Sequence, residues 1–108
     1  MGKIEGEGSI TPQMKATYKQ ELAHGVDLFQ RSLNEYRNAS DGPKKDKFKE
    51  VMDLAVQVMS ETAKLCLSKQ GQKAESTLEK DYQGYLTDGS TDSLQRLQSD
   101  IDNLKKNI

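Results

Sequence analysis

From Met14 onward, apolar side chains return every three or four residues: Met14, Tyr18, Leu22, Val26, Phe29, Leu33 and Tyr36. This spacing traces one face of an α-helix and not the alternation of a strand. Thr11 followed by Pro12 reads as an N-cap with proline in the first helical position. The pattern therefore predicts a long amphipathic helix over about 12–39. It stops at Asn38-Ala39-Ser40-Asp41-Gly42-Pro43. There a glycine able to take positive φ precedes a proline that disfavours continuation, and the chain is expected to reverse.

A second helix is expected over about 43–70. Phe48, Val51, Met52, Ala55, Val58, Met59, Thr62, Leu65 and Cys66 share one broad face, widened by Leu54, Val56 and Leu67. A stripe of that width touches more than one neighbour, which makes this the central helix. Gly71 sits in the polar run Ser68-Lys69-Gln70-Gly71-Gln72-Lys73 before Ala74, Leu78, Tyr82 and Tyr85 resume the period. A glycine inside a helix costs only about 1 kcal/mol, so a continuous helix competes with the kink or short break expected there. The third helix then covers about 72–86. Thr87-Asp88-Gly89-Ser90 follows, with Gly89 as a left-handed stop and Ser90 or Thr91 as the next cap. The final helix is expected over about 91–108, with Lys105 and Lys106 in its last turn, where the helix dipole favours cations.

Short connections between helices favour antiparallel neighbours. The expected fold is thus all-α, an antiparallel up-down bundle of three to four helices (about 12–39, 43–70, 72–86 and 91–108). It forms a single domain over 11–108, preceded by a flexible tail over 1–10 with glycines at 2, 6 and 8.

The last helix carries Leu94, Leu97, Ile101, Leu104 and Ile108 at alternating spacings of three and four, with only polar residues between them. A seam this narrow is the kind that binds another helix. It has two expected uses: completing the intramolecular bundle against the second helix, or holding a second copy or an external helix. A second feature is the cluster Lys44, Lys45, Lys47 and Lys49 at the start of the second helix, where the dipole favours anions instead. An acidic or phosphorylated partner surface would compensate for that placement. A solvated turn tempered by Asp41, Asp46 and Glu50 is the structural alternative.

Of the 108 residues, 33% are hydrophobic and 31% charged, and there is no Trp. That composition suits helices that each bury one stripe, and leaves little for a large ligand cavity. Sixteen basic against seventeen acidic residues give a net charge of −1. No electrostatic reason to bind a phosphate backbone follows, so nucleic acid is not expected as a partner. The single cysteine, Cys66, lies between Leu65 and Leu67 and reads as a small buried side chain. One cysteine fits a reducing compartment. No stretch reaches the roughly 20 apolar residues of a membrane span, and the opening residues are too polar for a cleaved signal peptide. A cytoplasmic location is expected, with export that uses no cleavable signal as the alternative.

Candidate chemistry is thin. His24, the only histidine, raises the thought of a phosphotransfer domain, whose reactive imidazole stands exposed on a four-helix bundle. Such domains usually carry lysine and glycine three and four residues after the histidine; here those positions are Asp27 and Leu28. Asp27 would oppose an incoming phosphoryl group. A His24–Cys66 pair would need a separation of about 3 Å. A reversal near residue 42 sets His24 level with Met59 and leaves Cys66 about 10 Å further along the axis. Glu79 and Asp81 share no helical face, and the acidic residues of the third segment read as solvated. One His and one Cys cannot make a metal site, Asp88 to Ser99 lacks the glycine and terminal acid of a calcium loop, and no phosphate loop is present. No metal or cofactor is expected.

The expectation is a non-enzymatic protein–protein interaction module (adaptor, chaperone or assembly subunit) that acts through helix-on-helix packing, with self-association as one form of it. A hairpin reversing near residue 42 also resembles, in layout, the small helical proteins of bacterial secretion systems, both the secreted hairpins and the needle subunits. The Trp-x-Gly turn of the first group is missing, and the segment after Gly71 exceeds what the second carries. Phosphotransfer through His24 is the remaining alternative.

Overall fold

The computed structural model describes residues 11–108. The expected tail over 1–10 lies outside the described residues. Four helices follow one another: α1 (Pro12–Asn38), α2 (Pro43–Cys66), α3 (Lys69–Asp88) and α4 (Thr91–Lys106). There is no strand among the described residues. The helices run up, down, up and down. α1 packs along α2 and α3 along α4, while α2 meets α3 and α4 meets α1 to close the ring. The body measures 56 × 25 × 18 Å, and α1 and α2 are longer than the other pair.

The helix ends follow from local chemistry. The Thr11 hydroxyl accepts from the Met14 N–H at 3.1 Å, and Pro12 needs no partner for a missing N–H. Gly42, at φ 141°, makes the turn into α2, and Gly89, at φ 61°, is the left-handed cap of α3. The Ser90 hydroxyl then accepts from the Ser93 N–H at 3.1 Å and starts α4. Asp88 joins the two caps: its carboxylate accepts from the Ser90 N–H at 2.9 Å and the Ser93 hydroxyl at 2.8 Å, which holds its pKa below the usual carboxylate range.

The break after the second helix falls earlier than Gly71. α2 ends at Cys66, Leu67 turns extended (φ −107°, ψ 154°), and the Ser68 hydroxyl caps α3 by accepting from the Gly71 N–H at 3.3 Å. Gln72 Nε2 donates to the Leu67 carbonyl at 3.0 Å and so covers the exposed end of α2. Gly71 is helical, and its missing side chain makes room for another: a Cβ there would stand 2.9 Å from Leu67 Cβ. Leu67, expected to widen the stripe of α2, instead folds over the start of α3 and is buried.

The core is built from Leu22, Val26, Phe29 and Leu33 of α1, Met52 and Met59 of α2, Leu78 and Tyr82 of α3, and Leu97, Ile101 and Leu104 of α4, all of them at most 1% exposed. Phe29 and Tyr82 meet edge to face at 5.1 Å across the diagonal of the bundle. Gly25 lets α1 approach α2, since a Cβ there would lie 3.1 Å from Met59 Cγ. Tyr82 turns its hydroxyl outward and donates to Asp53 at 2.6 Å; Lys49 donates to the other oxygen of the same carboxylate at 3.1 Å. Burial and the neighbouring carboxylate push the Tyr82 pKa up.

Candidate functional site

The seam of the last helix lies inside this core. Leu97, Ile101 and Leu104 are buried, and Leu94 and Ile108 pack partly buried against them. The neighbours are α3 and α1, not the second helix as expected. Lys105 of α4 donates to Gln30 of α1 at 2.9 Å along this contact. A narrow stripe is enough for α4 because the helix sits at a corner of the bundle and closes it.

The four lysines do not form one patch. At 100° per residue they fan around α2. Lys45 places its ammonium 4.8 Å above the Tyr36 ring and 3.5 Å from Asp41. Lys49 is tied to Asp53 beside α3, whereas Lys44 and Lys47 are exposed. Two of the cations at the positive end of the dipole thus have partners of their own.

Unsatisfied apolar surface lies elsewhere. The large hydrophobic side chains left exposed among the described residues are Met14, Leu28, Leu54, Val58 and Leu65, and every one is on α1 or α2. Leu54 is 63% exposed and the others 43% to 46%. Leu28, Leu54 and Val58 line a groove with Gly25 and Ala55 at its floor and Glu21 and His24 on its wall. Met14 and Glu21 line a separate hollow on α1 with Gln13, Thr17 and Tyr18. On α2 the sequence Val51, Leu54, Val58, Glu61, Leu65 advances in steps of three and four. That is the spacing of a helix-binding seam, laid on the outer surface. On α1, Met14, Glu21 and Leu28 recur every seven residues on the facing bank.

His24 is exposed on the wall of this groove. Glu21, and no lysine or arginine, stands among the residues lining the groove with it. Cys66 is buried, and burial raises its pKa against the opposing pull of Lys19 and Lys15, so its thiol is held protonated. Its charged neighbours are those lysines, not His24.

The third segment is less solvated than its composition suggests. Glu75 is 2% exposed, with one carboxylate oxygen left without a partner. Burial and the Glu79 carboxyl push its pKa up to about 8, against the pull of Lys64. Asp100 on α4 faces Asp81 on α3, and burial together with that second acid raises it to about 7, against the pull of Arg96. Each pair is two acids that favour sharing a proton. No group of three or more His, Cys, Asp or Glu among the described residues could hold a metal ion. No helix there is long and apolar enough to cross a membrane.

Comparison of the chain with protein-family models, curated proteins and solved structures finds no match.

Proposed function

We propose that this protein is a non-enzymatic interaction module, an adaptor, chaperone or assembly subunit, that holds a partner helix in the outer groove between α1 and α2. One observation carries the reading: all five large hydrophobics exposed among the described residues lie on these two helices, with Leu28, Leu54 and Val58 in the groove itself. Full burial of such a side chain contributes about 1.5–3 kcal/mol. With roughly half of that outstanding at each position, covering the three that line the groove contributes about 2–4 kcal/mol. Association itself costs at least about 4 kcal/mol. The apolar face alone therefore at best offsets that cost, and a stable complex needs polar contacts at its edges.

The test is a photo-crosslinking amino acid placed at Val58, in the groove, or at Gln98, on the exposed side of α4, in cells of the source organism. Discrete products from position 58 that disappear with Leu54→Ser support the groove. Equal products from both positions, or none from position 58, reject it. A product of twice the chain mass identifies the partner as a second copy.

A further inference from the structure

The chain contains the pair Asp-Gly twice, at Asp41-Gly42 between α1 and α2 and at Asp88-Gly89 between α3 and α4. In such a pair the side-chain carboxyl carbon and the following amide nitrogen can close a five-membered ring, and glycine has no Cβ to hinder the approach. Closure needs a carboxyl group that is not held elsewhere and an amide N–H that is not committed to a hydrogen bond. The two pairs differ in both respects.

At the second pair everything is tied. The Asp88 carboxylate accepts from the Ser90 N–H at 2.9 Å and the Ser93 hydroxyl at 2.8 Å, and the Gly89 N–H donates to the Tyr85 carbonyl at 2.8 Å. Ring closure there would break all three bonds. At the first pair the Asp41 side chain is 98% exposed, and its one ion-pair contact, Lys45 at 3.5 Å, lies beyond the usual hydrogen-bond range. The Gly42 carbonyl accepts from the Asp46 N–H at 3.1 Å, but its own N–H donates to no backbone group among the described residues. A Cβ built at Gly42 would meet nothing within 4 Å, so the turn is uncrowded.

We infer that Asp41-Gly42 is a modification site, at which the chain isomerises spontaneously to isoaspartate, and that Asp88-Gly89 is protected from the same reaction. The Gly42 nitrogen bonds to Asp41 Cγ, and its proton leaves with the carboxyl hydroxyl as water, which gives a cyclic imide. Water then adds back at one of the two ring carbonyls. Addition at Cγ restores aspartate. Addition at the main-chain carbonyl of Asp41 breaks the bond from that carbon to the Gly42 nitrogen and leaves the chain running through Cβ and Cγ. No oxidant, reductant or other reagent is consumed, and the product has the mass of the starting chain. The turn into α2 gains one methylene in its main chain, and the carboxylate of residue 41 moves onto Cα. An exposed carboxylate in that position is the group that isoaspartyl carboxyl methyltransferases accept, so the aged protein becomes a substrate for an enzyme of that class.

The test is to incubate the intact protein at neutral pH in water enriched in oxygen-18, beside the proteolytic peptides that carry each pair, until half of each peptide has converted. Ring opening leaves one heavy oxygen in the residue, and isoaspartate separates from aspartate of equal mass by chromatography. Both peptides should convert. In the folded protein Asp41 should convert at least about tenfold faster than Asp88. A recombinant isoaspartyl methyltransferase with S-adenosylmethionine should methylate the aged protein, and Asp41→Glu, whose ring would have six members, should remove that acceptor. Equal conversion of the two pairs in the folded protein overturns the inference. So does an Asp41 that stays intact while its peptide converts, or a methyl acceptor that survives in Asp41→Glu.

Discussion

Replacing Glu75 by Gln should stabilise the protein, and should do so only above about pH 5. The carboxyl is 2% exposed, has an oxygen without a partner, and lies against Glu79, with Lys64 too weak an opposing charge to offset burial. Its pKa rises from 4.5 to about 8. In the unfolded chain it loses its proton near pH 4.5; in the fold it keeps it until about pH 8. Between these values the folded state binds more protons, so stability falls as pH rises, by at most about 1.4 kcal/mol per unit. From pH 4.5 to 7 this group alone removes about 3 kcal/mol, a large share of the 5–15 kcal/mol typical of a domain. Gln keeps the size and cannot ionise. Urea denaturation at pH 5, 6, 7 and 8 should show the wild type losing stability across the series. Glu75→Gln should match it at pH 5, exceed it by about 2–3 kcal/mol at pH 7, and lose most of the slope. Asp100→Asn, at the second acid pair, should remove much of the remainder. A wild type that holds or gains stability from pH 5 to 8, or a variant with an unchanged slope, would refute this account of the site.

Gly71→Ala should destabilise by about 1–3 kcal/mol because its Cβ meets Leu67, whereas Gly84→Ala, with open space around it, should stabilise by up to about 1 kcal/mol; opposite signs in thermal melts are the readout. Leu97→Ala should cost about 2–5 kcal/mol, while Leu54→Ser stays within about 0.5 kcal/mol, and comparable losses at both sites would contradict the assignment of core and surface. Incubation with acetyl phosphate should leave no acid-labile adduct on the protein; one that His24→Gln abolishes would turn the reading toward phosphotransfer.

The sequence made the helices and their ends legible where the signal is chemical and local. Thr11-Pro12, Gly42-Pro43 and Gly89-Ser90 each mark a cap or a left-handed residue, and each stands where expected. The break at Leu67-Ser68 was hidden because Leu67 continues an apolar run, so the period gives no sign of an end. Gly71, the visible candidate, serves packing and not backbone conformation. Which edge of α2 faces water was also unreadable. Its stripe is wider than two neighbours can cover, and the side left open depends on where α1 and α3 stand, which no single helix encodes. The same holds for α4: its seam is narrow because it fills a corner, and only the assembled bundle distinguishes a corner from an interface. Nothing around Glu75 in the sequence announces burial, since an acid one turn before Glu79 reads as solvated until α2 is laid across it.

The chain pairs mostly with its immediate successor, α1 with α2 and α3 with α4, and the two hairpins meet through slighter contacts such as Phe29 on Tyr82 and Lys105 on Gln30. A molecule joined this way need not open all at once. The α3–α4 pair, built from the two shorter helices and carrying both acid pairs, should be the less secure half. Amide hydrogens there should exchange as one cooperative group at a lower free energy than those of α1 and α2. Raising the pH from 5 to 8 should widen that gap, so that the half bearing the exposed groove stays protected while the other half loosens first.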